Sequence, residues 1–247
     1  MPTDPYRTDE LSSDELDTEL LQRWDATLPA QPELGRALLR RYSEPHRRYH
    51  GRAHLLQVLA TIDRLAGDET QLAAGAGSRP APSAVDLFLV RLAAWFHDAV
   101  YDIPERELTN EEASARLSIR ELGRAGFEQE DLTQVARLVR LTATHAPGGR
   151  DPEGELLCDA DLAILAAPPQ RYDAYVAAVR AEYQAVPEDR FLAGRLAVLV
   201  PLVEGEIFRS GKAQSLKAAA RANLERELWS IRDRLGLEQP EDAAVED

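Results

Sequence analysis

Apolar residues recur at intervals of three and four along most of the chain, the spacing that places them on one face of an α-helix. The first stripe follows Ser13 and Glu15, which predict an N-capped helix start, and Pro29 ends it. Its buried positions are Leu16, Leu20, Leu21, Trp24 and Leu28. Similar stripes predict helices over 34–42 and 51–65, with Pro45 between them.

The segment 86–100 is apolar nearly all round, a pattern typical of a helix at the centre of a bundle. Proline- or glycine-bearing connections separate further predicted helices at 109–123, 129–145, 159–166, 170–185, 188–208 and 213–235. No segment alternates convincingly with the period of two that a half-buried strand requires. The sequence therefore predicts an all-α protein, with a single-domain helical bundle over 13–235.

Three segments are expected to lie outside the packed helices. Residues 1–12 and the acidic residues 236–247 are predicted to be a disordered N-terminus and a mobile tail. Gly, Ala, Ser and Pro dominate 67–83, which predicts a flexible surface loop. We interpret it as a loop within one domain, because the chemical motifs described below fall on both sides of it.

The net charge of the chain limits which kinds of molecule it is expected to bind. The formal net charge of −14 argues against non-specific nucleic-acid binding and against an anionic membrane surface. Six arginines nevertheless stand against the single acid Glu44 between residues 36 and 54. This basic stretch is either a solvated helix face or a local attraction for phosphate or carboxylate groups.

Cysteine content and hydropathy indicate a compartment. The single cysteine, Cys158, excludes an intrachain disulfide, which fits a reducing environment, and we expect it in the core. The polar N-terminus lacks the apolar run of a signal peptide, and no stretch approaches the roughly 20 apolar residues of a membrane span. We expect a cytoplasmic protein without a membrane segment.

The candidate chemistry lies in histidines and acids. His97 and Asp98 end the apolar segment 86–100, where two such side chains are costly to bury unless they are paired or bind a metal. A hydrogen bond from His97 to a core carboxylate explains the pair equally well. His50 and His54, four residues apart, match the spacing of two ligands on one helix face. Gly51, between them, disfavours an uninterrupted helix.

A third element is Asp159-Ala160-Asp161, which precedes an apolar run. Taken alone, Asp159 is a good N-cap and Asp161 lies where a helix dipole favours an acid. The same two carboxylates are also suitable metal ligands. The pattern by itself leaves both alternatives open.

Together these residues form an ordered set, His54, then His97-Asp98, then Asp161, that resembles the H…HD…D pattern of the HD superfamily. The chain is more closely similar to predicted HD-domain phosphohydrolases over roughly 42–224. The blocks that carry this similarity are Tyr49-His50-Gly51-Arg52-Ala53-His54, Trp95-Phe96-His97-Asp98-Ala99-Val100-Tyr101-Asp102, Asn110-Glu111-Glu112-Ala113-Ser114, Asp159-Ala160-Asp161-Leu162 and Arg180-Ala181-Glu182-Tyr183.

The resemblance implies an HD-type helical bundle with one divalent metal ion held by His54, His97, Asp98 and Asp161. It implies Mn, Mg, Fe, Co or Ni as the ion, and hydrolysis of a small phosphorylated metabolite, nucleotides included. The family's habit of using the second acid selects Asp161. Two neutral imidazoles and two carboxylates balance a 2+ ion and leave ligand positions for water and substrate.

The remaining roles are expectations of the same resemblance. Asp102 is the first candidate for the catalytic acid or water-orienting group. In some HD hydrolases a glutamate precedes the corresponding aspartate, and Tyr101 stands at that position here. A contact between the Asp102 carboxylate and the local backbone is the alternative. His145 is expected to contact substrate phosphate, since a second metal generally needs two extra histidines there. His50, Arg47 and Arg52 are the other phosphate candidates, arginine because its fork donates parallel hydrogen bonds.

Two other function classes stay open. A di-iron oxygenase is disfavoured by the missing second histidine, unless His50 supplies it. A non-catalytic, metal-stabilised ligand-binding domain is disfavoured because structural sites are usually closed zinc tetrahedra of Cys and His. The sequence does not indicate which metabolite is the substrate or which oligomer forms.

Overall fold

The computed structural model describes residues 11–67, 85–105 and 107–237. This part of the chain contains helices and no strand, which confirms the all-α prediction. The chain divides into two compact units, Met1–Asp161 and Leu162–Asp247. The bulk of the predicted disordered N-terminus, flexible loop and mobile tail lies outside the described residues, and a single domain of HD type stays a prediction.

Seven α-helices form the described part of the first unit. They are α1 (Ser13–Thr27), α2 (Pro32–Tyr42), α3 (Arg52–Ala66), α4 (Leu87–Phe96), α5 (Asn110–Arg124), α6 (Gln129–Leu141) and α7 (Pro152–Asp161). No helix in the described part of the chain has both the length and the apolar composition that crossing a bilayer requires.

The N-cap of helix α1 lies one residue earlier than the sequence predicts. The N-cap is Ser12 rather than Ser13, and Ser12 and Glu15 satisfy each other's backbone N–H groups in a capping box. Farther along α1, Trp24 is fully buried, and its indole N–H donates to the carbonyl of Gln31 over 2.8 Å. A Cβ on Gly35 of α2 would come within 2.3 Å of the Trp24 ring, so glycine permits this close packing of α1 and α2.

Helix α4 is the central helix of the first unit, as its apolar pattern predicts. Eight of its ten residues are buried, and it packs against α3, α6 and α7. The Asp86 side chain caps its start by accepting from the N–H groups of Phe88 and Leu89. The helix ends at Phe96 and not at residue 100, so His97 and the residues after it form a turn.

Helices α5 and α6 pack closely against each other, and an exposed ion pair links their surfaces. The Glu112 carboxylate on α5 accepts from Arg140 on α6 over 2.6 Å and from Arg116 over 2.7 Å. Helix α6 ends at Leu141, four residues before the predicted end at 145. His145 therefore lies in the connection to α7.

The predicted helix over 159–166 is wrong in its start and in its type. The α-helix begins at Pro152, and a 3-10 helix, Leu162–Ala166, follows it. Proline is favoured in the first turn of a helix, because its missing N–H has no intrahelical acceptor there. Asp159 and Asp161 consequently lie in the last turn of α7 and do not cap a helix start. Cys158 is buried, as expected.

The second unit contains the 3-10 helix Leu162–Ala166, α8 (Pro169–Glu182), α9 (Glu188–Glu204), a second 3-10 helix, Gly211–Leu216, and α10 (Lys217–Leu235). Two sets of buried polar contacts link the helices of this second unit. The Asn223 amide donates to the carbonyls of Leu165 and Ala167 over 2.9 and 2.8 Å. The Arg195 guanidinium donates to both oxygens of Glu227, which also accepts the hydroxyl of Tyr172.

Candidate metal centre

Three segments of the first unit bring the four predicted ligands together. His54 is the third residue of α3, and the N-cap of that helix is the extended Gly51. His97 is the C-cap of α4, and Asp98 follows it in the turn. Asp161 is the last residue of α7. Helix ends supply three of the four side chains, so a small change in helix length would displace them.

The donor atoms of these side chains converge on one point. The Nε2 atoms of His54 and His97 are 3.2 Å apart. Asp161 Oδ1 lies 3.1 Å from His54 Nε2 and 3.6 Å from His97 Nε2, and Asp98 Oδ2 lies 3.5 and 3.2 Å from the same two atoms. His54, His97 and Asp98 meet the spacing of a metal-binding group. All four side chains are largely buried, with exposed fractions between 1% and 15%.

The residues fit a divalent metal ion. Bonds of about 2.1 Å place neighbouring ligand atoms roughly 3.0 to 3.4 Å apart in octahedral or tetrahedral geometry, close to the separations of this cluster. His97 Nδ1 is 2.7 Å from the Ala94 carbonyl oxygen. Because a carbonyl only accepts, Nδ1 carries the proton and the Nε2 lone pair is directed at the cluster. That tautomer is the one that a metal ligand needs.

The electrostatics of the cluster favour a positive charge at its centre. Burial raises the pKa values of Asp98 and Asp161, but the attraction of His97 outweighs it and holds both pKa values below their ordinary range. Burial lowers the pKa of His97, but Asp98 and Asp161 outweigh it and raise that pKa to about 9. Two buried carboxylates thus attract a cation to this point, whether a proton on His97 or a metal ion in its place.

His145 contacts the centre through Asp161. Its Nε2 is 2.8 Å from Asp161 Oδ2, while Oδ1 of the same carboxylate faces His54 and His97. The backbone of His145 has a φ of 50°, in the left-handed region that costs a non-glycine residue about 1 kcal/mol. Such strain is typical of functional positions. The structure brings His145 to the centre, and its role as a phosphate contact stays a prediction.

Arg47, a predicted phosphate contact, is engaged with protein groups. Its side chain is 1% exposed, and Nη1 donates to the carbonyls of Asp98 and His50 over 2.7 and 2.9 Å. The guanidinium lies 5.3 Å from the centroid of the Tyr42 ring and 5.5 Å from that of Tyr101. Its observed contacts fix the backbone on both sides of the centre.

Tyr42 is a contributor that the sequence did not single out. Its hydroxyl is 3.3 Å from the Trp95 carbonyl oxygen and 3.3 Å from the amide nitrogen of Asp98. It thereby bridges the end of α4 to the turn. In the sequence, Tyr42 is one more apolar position in the stripe of α2, so no signal distinguished it from a core residue.

The block Asn110 to Ser114 has a clear structural role. The two side chains lie one turn apart on the buried face of α5. The Asp102 N–H donates to Asn110 Oδ1 over 2.9 Å, and Asn110 Nδ2 donates to the Asp102 carbonyl over 3.2 Å. Ser114 Oγ accepts from the Val100 N–H and donates to the Val100 carbonyl. The turn that carries Asp98 is therefore tied to α5.

The other predicted residues lie in different surroundings. The His50 ring stacks on Tyr101 at 4.3 Å between centroids and lies 5.7 Å from the His54 ring, at the edge of the centre. Arg52 donates to Asp17 and to Ser13, so its guanidinium lies against α1. Asp102 follows the turn, where its backbone pairs with α5, and a catalytic role for its carboxylate stays a prediction.

Helix geometry explains why Asp161, and not Asp159, reaches the histidines. Both acids belong to α7, and residues two apart point about 200° away from each other around a helix. When Asp161 faces the centre, Asp159 faces the opposite side, where it is 1% exposed. The hydrophobic pattern did not separate the two acids.

Comparisons of the chain with protein-family models, with curated proteins and with solved structures found no match. The resemblance to the HD superfamily therefore rests on the residues of the motif alone.

Proposed function

We propose that this protein is a metal-dependent phosphohydrolase of HD type, which releases phosphate from a small phosphorylated metabolite, with nucleotides as the first class to test. The observation that carries the proposal is the buried cluster of His54, His97 and Asp98 with metal-binding spacing, which Asp161 completes. Two neutral imidazoles and two carboxylates match the charge of a divalent ion and leave positions for water and a phosphoryl oxygen.

When bound, the ion supplies an activated water and offsets the charge on the phosphoryl oxygens. The side chains of this unit hold the ligands in place before substrate arrives. The Ala94 carbonyl fixes the tautomer of His97, and Arg47 and Tyr42 fix the backbone of Asp98. Such preorganisation is what makes electrostatic stabilisation effective in catalysis.

For substrate contacts, the proposal gives first place to His145 and His50. His145 contacts Asp161 from the outer side and keeps 22% of its side chain exposed, and His50 borders the His54 ring. An imidazole N–H at either position is suited to a phosphate oxygen. Arg47 is then a positioning residue for Asp98. A cytoplasmic location, expected from the cysteine content and the sequence hydropathy, belongs to the same proposal.

The test begins with the metal content of protein purified without chelator. Phosphate release is then measured on a panel of nucleotides and phosphomonoesters, with Mn²⁺, Mg²⁺, Co²⁺, Ni²⁺ and Fe²⁺ added separately. Asp98→Asn removes the ligand charge at constant shape, and Asp25→Asn, exposed on α1, is the matched control. We expect metal-dependent release that Asp25→Asn retains and Asp98→Asn loses by at least about a hundredfold, the scale of removing a group that acts on the transition state.

A second readout follows metal binding without turnover. An ion at one hundred times its dissociation constant stabilises the folded state by about 2.7 kcal/mol. We expect the melting temperature to rise on metal addition in wild type and Asp25→Asn, and to stay constant in Asp98→Asn. Two irons per chain without phosphate release would favour an oxygenase, and metal-linked stability without turnover a binding domain. Identical melting curves for all three proteins with and without metal would refute the centre itself.

A further inference from the structure

A cavity of about 360 Å³ lies between α2 and α5, apart from the metal centre. Its walls are successive turns of the two helices. Leu34, Ala37 and Leu38 of α2 and Leu117 of α5 form an apolar lining. None of these residues ligates the proposed ion, and the volume is within the lower part of the range for small-molecule sites.

Three arginines, Arg41, Arg120 and Arg124, and two glutamates also line the cavity, as do Gln31 and Ala125. Glu121 neutralises part of this charge, because Arg120 donates to it over 2.8 Å and Arg124 over 3.2 Å. The other glutamate, Glu33, is 85% exposed and paired with an arginine outside the lining. The lining is thus part apolar and part charged, and it carries a small net positive charge in a protein of net charge −14.

Among the described residues, Arg41 is the lining arginine without a carboxylate partner. Within the described part of the chain its guanidinium makes one long hydrogen bond, from Nη1 to the Ala99 carbonyl at 3.4 Å. A guanidinium carries five N–H donors in a planar fork that matches carboxylate and phosphate oxygens. It is partly buried beside apolar side chains, where a charge-assisted bond is stronger than in open water.

We infer that this cavity binds a small amphipathic anion, with an apolar body against Leu34, Ala37 and Leu117 and a phosphate or carboxylate on Arg41. A purely apolar ligand would leave the Arg41 donors unmatched, and a simple inorganic anion would leave the apolar lining exposed. The site is distinct from the metal centre, and the inference does not depend on the proposed hydrolysis.

The test is a calorimetric titration of the full-length, chelator-treated protein with 1-naphthyl phosphate. Removing metal ions prevents hydrolysis of the probe and metal-dependent phosphate binding. The neutral 1-naphthol and inorganic phosphate are titrated in parallel, and naphthoate replaces the phosphate to separate the two anion types. We expect saturable binding of naphthyl phosphate or naphthoate, at least about tenfold tighter than either naphthol or inorganic phosphate.

Three variants locate the binding. Arg41→Gln removes the guanidinium that would hold the anion and is expected to weaken binding at least about tenfold, the effect of losing one charge-assisted hydrogen bond. Ala37→Trp fills the cavity at unchanged charge and is expected to abolish binding. Arg116→Gln, which removes an exposed arginine of α5 outside the cavity, is expected to leave the affinity within about twofold.

Circular dichroism and melting curves establish that each variant is folded. The inference is overturned if naphthol binds as tightly as the anions, if Arg41→Gln and Arg116→Gln bind equally, or if the wild type shows no saturation up to about 5 mM probe. Loss of phosphohydrolase activity in the separate assay would leave these titrations unaffected.

Discussion

Asn110 ties the segment that directly follows the turn of Asp98 to α5, and removing its amide tests whether that tie matters. Asn110 is 8% exposed, and its side chain pairs with both the N–H and the carbonyl of Asp102. Asn110→Ala deletes both hydrogen bonds and creates no clash. Two backbone groups in a partly buried position then depend on water for their partners.

The expected loss follows from those two bonds. Each net hydrogen bond contributes about 1 kcal/mol and an unmatched buried group costs somewhat more, so Asn110→Ala should lower the free energy of unfolding by about 2 kcal/mol. For a unit of this size that corresponds to a fall in melting temperature of about 4 to 8 °C. Metal affinity should fall about tenfold or more, as when other groups that orient metal ligands are removed.

Urea unfolding and metal titration measure the two effects. Asn110→Asp is the informative companion, because it keeps the acceptor for the Asp102 N–H but sets a carboxylate oxygen against the Asp102 carbonyl, so it should also be less stable than wild type. Glu111→Ala, the next residue on α5, controls for helix effects. A stability loss below about 0.5 kcal/mol, or metal affinity unchanged in a destabilised Asn110→Ala, would show that the turn is ordered without α5.

Three further predictions concern stability. Gly35→Ala places a Cβ 2.3 Å from a buried tryptophan ring and should lower the free energy of unfolding in urea by about 1 to 3 kcal/mol. Gly194→Ala, in open space on α9, should raise it by about 0.5 to 1 kcal/mol. Equal effects of the two variants would contradict the packing argument. Glu227→Leu leaves the buried Arg195 charge without its carboxylate and should lower the free energy of unfolding by about 3 to 5 kcal/mol. Adding Arg195→Met should recover much of that loss. If the effects of the two single variants simply add in the double variant, the two residues are not coupled. The arginine partners of Glu112 lower its pKa from 4.5 to about 2, so the stability that the ionised carboxylate contributes is present above pH 4.5 and is lost as the pH falls towards 2. Glu112→Gln should therefore approach the stability of wild type in acid. A constant difference in stability from pH 7 to pH 2 would refute this.

The fold class followed from the sequence because helix periodicity is a local property. The apolar segment containing Trp95 is indeed the central helix of its unit, and the stripe containing Trp24 is indeed a helix. Helix ends were harder. The start of α7 at Pro152 was missed because Gly154 and two glutamates weaken the apolar pattern there, and Ser12 rather than Ser13 caps α1.

The sequence indicated which side chains lie close together, but not which residues hold them in place. His54, His97, Asp98 and Asp161 converge as the motif indicates. A phosphate contact of Arg47 stays a prediction, and the sequence did not indicate its hydrogen bonds to the carbonyls of Asp98 and His50. Which of several arginines a fold buries depends on tertiary packing, and no local pattern encodes that packing.

The dispersal of the four residues along the chain has a consequence for how the proposed metal centre would form. His54 and His97 are 43 residues apart, and Asp161 follows only at the end of the first unit. One long segment must close to bring His54 to His97 and Asp98, and a second must close to add Asp161, so we expect the complete set to form late in folding. During synthesis, the complete set cannot form until α7 has left the ribosome. Binding of the proposed ion by all four residues would then indicate that the first unit has folded as far as α7.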